Sequence, residues 1–379
     1  MALQMVETSN GGDTPIQIGG QPGETSSLGL FWPPKETDFH RAKGFYKRAI
    51  LSATDFAPFQ QVYDEFAESP RFTTQGVENG DGQEKNFSRI TMRAVVSNEF
   101  LMGNVDILQP MVESILPLGN DGAFAGTSLV YFGTNHPDRQ SDQMRMEQCV
   151  QNLHVALGEQ PRRPDEMIAK ASQNGYGLTL VDKSHEYTAT DKIASDLFAL
   201  YKPFGWSQEQ VLELLNTQNR LVAVAQKNDT VVSAGIAEMG REFIQFGPDT
   251  TYPLDLVELT DAATLVADEG RGLYSGVSTV LLNQLASLYS HSPTEVLVFG
   301  ESNASALGVL KTSTHQGRVF AASVGEQFGY PNSGMLHQHV PILDRGEKKN
   351  EIQYKYNNFY PTFITKGILQ NTYGHQTAS

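Results

Sequence analysis

Gly270 and Gly272 flank Arg271 at a point where the sequence changes from a strand pattern to a helix pattern. The run 256–265 before them is largely apolar. After them, apolar residues recur at helical spacing: Leu273, Val277, Val280, Leu281, Leu285 and Leu288. A strand-to-helix turn exposes backbone N–H groups at the positive end of the helix dipole, and glycines let a phosphate approach the backbone. The chemistry predicted here is binding of a phosphate or pyrophosphate, with Arg271 adding a positive charge.

Two common nucleotide-binding loops do not fit this segment. It lacks the Gly-Lys-Ser/Thr of a Walker loop, and it lacks the three glycines of the dinucleotide fingerprint. On spacing alone, an ordinary tight turn is the alternative to a phosphate site.

Carboxylates lie near the ends of two predicted strands. Glu258 and Asp261 are three residues apart in the strand before the glycines, so a regular strand would point them to opposite faces. Glu301 ends the next strand, 294–302. Such carboxylates could act as a general base, and solvated or salt-bridged surface residues are the alternative.

Other reactive residue types give weaker patterns. His337 and His339 share one face of a predicted strand without an evident third ligand, so we predict no metal site. Cys149 sits among apolar neighbours in a predicted helix, which favours a buried structural thiol over a nucleophile.

The elements that must position these residues follow a regular order. The sequence predicts a tail over 1–29, a folded region over 30–165 and a linker within 159–166, which has two prolines and no apolar residue. From residue 176 to residue 343 the predicted order is β, α, α, β, β, β, α, β, α, β. The residues Lys227-Asn228-Asp229 give a hairpin signal inside it.

Composition limits the partners of the chain. Among its 379 residues, 43 are acidic and 28 are basic, and the formal charge of −15 argues against nucleic acid as the main partner. The single cysteine favours a reducing compartment, and cytoplasm is the default expectation. Neither a secretory signal nor a run long enough to span a bilayer is evident, so we expect no membrane partner.

The segment 258–285, "ELTDAATLVADEGRGLYSGVSTVLLNQL", resembles the strand, loop and helix that bind acetyl-coenzyme A in the GNAT superfamily of N-acetyltransferases. Within that superfamily it is most similar to the β-lysine acetyltransferase branch. The resemblance implies a mixed α/β (α+β) fold, with a mostly antiparallel sheet flanked by helices. It implies an acyltransferase domain over 170–345, preceded by a second α/β domain over 30–165 and followed by an extension over 346–379.

The resemblance also implies a set of donor-binding residues. The backbone of the strand end would pair with the pantetheine arm, and the loop and first helical turn would cradle the pyrophosphate of an acyl-CoA. Asn303 matches an asparagine that bonds the pantetheine in this superfamily. The strand-end residues are Thr264, Leu265 and Val266, and the cradle residues are Gly270, Arg271, Gly272, Leu273, Tyr274 and Ser275.

The loop departs from the family pattern at two of three positions. The pattern Arg/Gln-x-x-Gly-x-Gly/Ala falls on Glu269, Gly272 and Tyr274, and only the middle glycine matches. A carboxylate beside a pyrophosphate repels it, although Arg271 can compensate and backbone N–H groups do not depend on side-chain identity.

The implied reaction is transfer of an acetyl or other acyl group from coenzyme A to the amine of a small, amino-acid-like acceptor. Glu258, Asp261 and Glu301 are the candidate general bases, and Tyr274 or Ser305 could protonate the departing thiolate. Acyl-CoA is then a donor substrate and no metal takes part; a homodimer is possible.

Two alternatives stay open. One is a synthase that takes its acyl group from a carrier protein and makes an N-acyl amino acid or an acyl-homoserine lactone. The other is a non-catalytic acyltransferase-like binding module. Glu269 keeps this alternative open, because its carboxylate would repel the pyrophosphate of a donor.

Overall fold

The computed structural model describes residues 15–17, 27–31, 45–52, 87–119, 122–135, 143–204, 206–247, 250–345 and 352–374. The chain forms two compact units and passes between them repeatedly. Unit 1 consists of Met1–Met146, Phe243–Pro253 and Phe320–Pro361, and unit 2 consists of Glu147–Glu242, Leu254–Val319 and Thr362–Ser379.

The first segment of unit 1 supplies a six-stranded sheet. Its elements are β1 (Pro15–Gln17), β2 (Ser27–Phe31), β3 (Phe45–Ser52), β4 (Phe87–Ser97), α1 (Asn98–Gly103), α2 (Val105–Leu108), β5 (Val112–Pro117) and β6 (Thr127–Asn135). The strand order is β1-β2-β3-β4-β6-β5; β3 and β4 are parallel, and the other neighbours are antiparallel.

The middle of the chain supplies most of unit 2. Its elements are α3 (Gln143–Leu157), α4 (Pro164–Gln173), β7 (Gly177–Leu180), α5 (Lys192–Tyr201), α6 (Gln208–Asn216), β8 (Arg220–Lys227), β9 (Thr230–Gly247), β10 (Thr250–Thr264), α7 (Leu273–Tyr289), β11 (Glu295–Asn303), α8 (Leu307–His315) and β12 (Val319–Phe320). The chain continues through β13 (Leu336–Arg345), β14 (Ile352–Thr365) and α9 (Lys366–Tyr373).

The sheet of unit 2 is mixed. β7, β8, β9, β10 and β11 lie side by side, and β14 lies beyond β11. β7, β8 and β9 pair antiparallel, whereas β10 and β11 pair parallel. The parallel register runs from Leu254↔Glu295 to Glu258↔Phe299.

Helices cover both faces of this sheet, as the alternation of its apolar residues requires. In β8, Ala223 and Ala225 pack with α7 and α9 on one face, and Val222 and Val224 pack with α5 and α6 on the other. The expected mixed α/β class with a largely antiparallel sheet flanked by helices is therefore confirmed.

The predicted element order is confirmed from β7 to β13, with the short β12 added between α8 and β13. The hairpin signal is also confirmed, because β8 ends at Lys227 and β9 begins at Thr230. Asn228 and Asp229 both take left-handed backbone conformations, with φ +51° and +59°. Asparagine and aspartate tolerate this region better than other residues with a Cβ, which suits them to a two-residue hairpin turn.

The ends of the predicted segments differ from the structure. α4 begins at Pro164, inside the stretch expected as linker, because proline suits the first position of a helix and Asp165 and Glu166 occupy its first turn. The predicted tail over 1–29 contains β1 and the start of β2.

Part of the expected extension over 346–379 contributes to the core of unit 2. Ile364 of β14 and Leu369 and Tyr373 of α9 are buried in the core beneath α7.

None of the helices in the described ranges combines the length and the apolar character needed to cross a lipid bilayer.

Candidate functional site

The glycine loop of unit 2 leads directly into the longest helix of that unit. After β10, a single 3-10 turn spans Val266–Asp268, and α7 begins at Leu273. Gly270 and Gly272 have φ of +77° and +79°, a region that suits glycine. The predicted start of the helix near Gly272 is therefore confirmed, and both glycines are required by the backbone.

The helix start presents backbone donors without a side-chain cap. Gly272 is the N-cap residue of α7 and has no side chain that could accept from the first-turn amides. Space also lies open above Gly270, since a Cβ there would have nothing within 4 Å in the described part of the chain. Amides of this kind, at the positive end of a 17-residue helix, suit an anionic group.

Three cationic side chains lie around this loop. The side chain of Lys170, from α4, packs on Gly272; its Cδ is 3.1 Å from the position that a Cβ on Gly272 would occupy. Lys227 Nζ lies 5.2 Å from the ring centre of Tyr176, and Arg271 acts electrostatically on the hydroxyl of the same tyrosine. Lys170 and Arg271 thus bring positive charge to a loop that also carries Asp268 and Glu269.

A hydrogen bond between Tyr176 and Asp268 anchors the 3-10 turn. The Tyr176 hydroxyl donates to Asp268 Oδ1 at 2.6 Å, and both residues are buried. Burial and the hydrogen bond to Asp268 raise the pKa of Tyr176, whereas Arg271 lowers it. This contact holds the loop against β7 and α4.

The strand before the loop changes face at Asp261. Val257 and Leu259 pack in the core under α7, yet Ala263 packs in the core under α5 and α6. In a regular strand these three odd-numbered residues would share one face. Asp261 has φ +46°, and this left-handed residue shifts the alternation by one position, as a β-bulge does.

Tyr201 supports the bulge. Its hydroxyl donates to the backbone oxygen of Asp261 at 2.6 Å, and its ring stacks on Trp206 with ring centres 4.9 Å apart. Burial raises the pKa of Tyr201, and the nearby Asp261 raises it further. The hydroxyl therefore stays protonated and keeps donating to the bulge at neutral pH.

Two of the three candidate bases share a face of the sheet. Val296 and Val298 of β11 face the core under α7, so Phe299 and Glu301 face the other way. Glu258 follows Val257 in β10 and is the register partner of Phe299, so it also faces away from α7. Glu258 and Glu301 are both half-buried, whereas Asp261 is exposed at the bulge.

The parallel ladder stops beside these carboxylates. The last register pair is Glu258↔Phe299, although β10 runs on to Thr264 and β11 to Asn303. No later register pair joins the two strands in their described ranges, although Leu259 O still lies 2.9 Å from the position that a Cβ on Gly300 would occupy.

The backbone of the strand end is partly used within the protein. Leu265 N donates to Val232 O at 2.8 Å, and Leu265 O accepts from Asp268 N at 2.9 Å. The side chain of Thr264 lies 2.8 Å from Ser233 Oγ. Val266 O also accepts from Glu269 N, at 3.4 Å, and the side chain of Leu265 is exposed.

Asn303 and Ser305 are joined to each other. Asn303 Oδ1 accepts from Ser305 N at 3.0 Å and from Ser305 Oγ at 2.8 Å, which forms an Asx turn before α8. The Oδ1 atom of Asn303 is therefore used within the protein. Tyr274 and Ser275 lie half-buried in the first turn of α7.

Sequence reasoning missed Lys170 and Tyr201. Lys170 lies in α4 and Tyr201 in α5, each far from residues 258–275 along the chain. No local pattern links them to the loop or to the bulge, because each contact depends on how the helix packs.

No protein-family model and no curated protein matches the chain. Among solved structures, it is similar to an aminoglycoside acetyltransferase, meta-AAC0020, from an uncultured soil metagenomic sample, solved with trehalose. The identity is 17%, over 38% of this chain and 88% of that one, with a TM-score of 0.28.

Two further solved structures are similar to about half of the chain. NAA60 of Arabidopsis thaliana, solved with acetyl-CoA, is 12% identical over 50% of this chain and 98% of that one, with a TM-score of 0.32. A GNAT-family acetyltransferase of Streptococcus pneumoniae is 12% identical over 50% of this chain and 99% of that one, also with a TM-score of 0.32. Two of these three proteins are named as acetyltransferases, and the remaining one was solved with acetyl-CoA bound.

Proposed function

We propose that unit 2 is an N-acyltransferase that moves an acetyl or other acyl group from coenzyme A to the amine of a small, amino-acid-like acceptor. The observation that carries the proposal is the ladder between β10 and β11, which stops at Glu258↔Phe299 beside the glycine-capped start of α7. An extended pantetheine arm can pair with strand edges there, while its pyrophosphate meets helix amides.

The donor's phosphates are assigned to the loop. The first-turn amides of α7, the open backbone at Gly270 and the charges of Arg271 and Lys170 favour a diphosphate. The cluster of cations favours coenzyme A over a carrier protein, since coenzyme A brings its own adenosine phosphates to this surface. Glu269 works against this choice, and a carrier-protein donor is the competing candidate.

The chemistry is assigned to the end of the β10–β11 ladder, beside Glu258 and Glu301. The acceptor amine attacks the thioester carbonyl, and its proton passes to Glu258 or Glu301, directly or through water. The carbon–sulfur bond then breaks, and the thiolate takes a proton from Tyr274, Ser305 or solvent. Asp261, at the bulge, is placed to hold the positive charge of the incoming amine. The carboxylates of Glu258, Asp261 and Glu301 suit a cationic acceptor.

The test is release of free thiol from acetyl-CoA in the presence of a panel of primary amines that includes amino acids and diamines. Amine-dependent thiol release with a matching gain of acetyl mass on the amine is expected. Thiol release only from an acylated carrier protein would support the synthase alternative. Binding of acetyl-CoA without turnover on any amine would support a non-catalytic module.

A further inference from the structure

A buried arginine lies beneath the end of the β10–β11 ladder. Arg318, in the turn between α8 and β12, is only 6% exposed. Its Nε and Nη2 atoms are buried and have no hydrogen-bond partner among the residues that the structure describes. The ion pairs of those residues do not include Arg318. A guanidinium removed from water without a partner is strongly destabilising, so its retention points to an anion.

Gln316 adds an acceptor to the same turn. Its Nε2 donates to Ser278 Oγ at 2.6 Å and to Thr279 Oγ1 at 3.3 Å, which fixes the amide under α7. Its Oε1 is buried and has no hydrogen-bond partner in the described ranges. Burial raises the pKa of the neighbouring Tyr373, and the positive charge of Arg318 lowers it. Arg318 is therefore close enough to Tyr373 to act on its hydroxyl electrostatically.

The guanidinium lies where the two strands stop pairing. Arg318 Nη1 is 3.3 Å from the position that a Cβ on Gly300 would occupy, and Leu259 O is 2.9 Å from the same position. Leu259 and Gly300 directly follow the last register pair, Glu258↔Phe299. A side chain at residue 300 would collide with the backbone of Leu259 and displace Arg318, so glycine allows Leu259 and Arg318 to lie this close to β11.

We propose that Arg318 binds a carboxylate group of a small molecule at the end of the β10–β11 ladder. The inference rests on the proposed function, because it takes the end of this ladder as part of the acyl-transfer site. A carboxylate matches the forked donors of a guanidinium and cancels its single charge, whereas a dianionic phosphate would leave excess negative charge buried. The carboxylate belongs either to a dicarboxylic acyl group on the donor or to an amino-acid acceptor.

The experiment measures binding of two matched pairs by calorimetry. Succinyl-CoA and acetyl-CoA differ in a terminal carboxylate on the acyl group, and lysine and cadaverine differ in the carboxylate of the acceptor. Each is titrated into the wild-type protein, Arg318→Met and Arg318→Lys. Methionine removes the charge at similar length, and lysine keeps the charge without the fork.

The expected result is a loss of about 10- to 100-fold in affinity for the carboxylate-bearing member of one pair in Arg318→Met, the usual worth of a charged hydrogen bond. The carboxylate-free member should bind with unchanged affinity, and Arg318→Lys should recover part of the loss. Without any probe, Arg318→Met should melt at a higher temperature than the wild type, since an unpaired buried charge has been removed.

The inference is overturned if both members of each pair respond equally to Arg318→Met, or if none of the four probes binds. A lower melting temperature of Arg318→Met together with unchanged discrimination would mean that ordered water satisfies the guanidinium, and this also overturns it. If the proposed function is wrong, neither thioester binds the wild-type protein. In that case the lysine–cadaverine pair alone decides whether Arg318 binds a carboxylate.

Discussion

At the residue scale, two neighbouring side chains of opposite sign set the charge of the glycine loop. Glu269 and Arg271 are both exposed, and they flank Gly270. Neutralising each in turn should change coenzyme A affinity in opposite directions: Arg271→Gln should weaken it and Glu269→Gln should strengthen it. Because both are exposed, we expect changes of about two- to fivefold.

Calorimetry at low and at high salt checks this pair of variants. Exposed charges are screened by salt, so the difference between the two variants should shrink as ionic strength rises. Equal affinities for both variants at low salt would contradict a phosphate site at this loop.

A second residue-scale prediction concerns the base. Glu258→Gln keeps the size of the side chain and removes its ability to take a proton. Turnover at neutral pH should fall by about 100-fold or more, while coenzyme A affinity stays near that of the wild type. Glu238→Gln, at a half-buried glutamate of β9 that pairs with Arg220, serves as the control for loss of a strand carboxylate.

Steady-state kinetics and calorimetry on the two variants decide the role of Glu258. Full turnover in Glu258→Gln would transfer the role of base to Glu301, which lies on the same face of the sheet.

At the element scale, the bulge in β10 depends on one hydroxyl from α5. Tyr201→Phe removes the hydrogen bond to Asp261 O, at a cost of about 1 kcal/mol of unfolding free energy, and it lets the bulge relax. Turnover should fall together with the melting temperature.

Tyr187→Phe is the matched control, because the Tyr187 hydroxyl donates to Asp182 O at the same distance, 2.6 Å, away from the bulge. We expect a similar loss of stability in both variants, measured by thermal melting, and a loss of turnover in Tyr201→Phe alone. Equal turnover in the two variants would show that the bulge does not position the reacting groups.

The elements also show what a sequence pattern can and cannot predict. The Asn228–Asp229 hairpin and the start of α7 after Gly272 were predictable because each depends on residues adjacent in the chain. The cover of Gly272 by Lys170 and the buried Arg318 near Gly300 depend on how distant segments pack. Periodicity carries no information about those contacts.

At the scale of the whole molecule, the boundaries between the two units do not coincide with the domain boundaries expected from the sequence. The expected acyltransferase domain over 170–345 includes 243–253 and 320–345, which belong to unit 1. Unit 2 instead gains 147–169 and the segment from Thr362 onward. Linker composition located none of the five passages, because they occur within α3, β9, β10, β12 and β14.

Several groups in unit 2 make its stability depend on pH. Hydrogen bonds lower the pKa of three carboxyls: Glu159 beside Lys311, Asp182 beside Ser184, and Asp191 beside Thr188. Burial lowers the pKa of His315. In all four cases the unfolded chain binds protons more readily than the folded chain, so stability rises with pH.

The melting temperature should therefore fall as the solution is made acidic. The loss should begin below about pH 6.5, through His315, and continue below about pH 4, through the three carboxyls. Thermal melting across this range checks the prediction, and His315→Gln should remove the first part of the fall. A constant melting temperature between pH 7 and pH 3 would contradict it.

The most direct test of the central claim is titration of coenzyme A into the wild-type protein, Gly272→Val and Gly126→Val by calorimetry. Valine is strained at φ +79° in the loop and at φ +72° in unit 1, by about 1–2 kcal/mol in each case, so both variants carry similar backbone strain. At Gly272 the new side chain also presses on Lys170. If the glycine loop binds the diphosphate, the wild type and Gly126→Val bind coenzyme A with one site and equal affinity, and Gly272→Val does not bind it. Equal binding by all three proteins, or by none, would contradict the account.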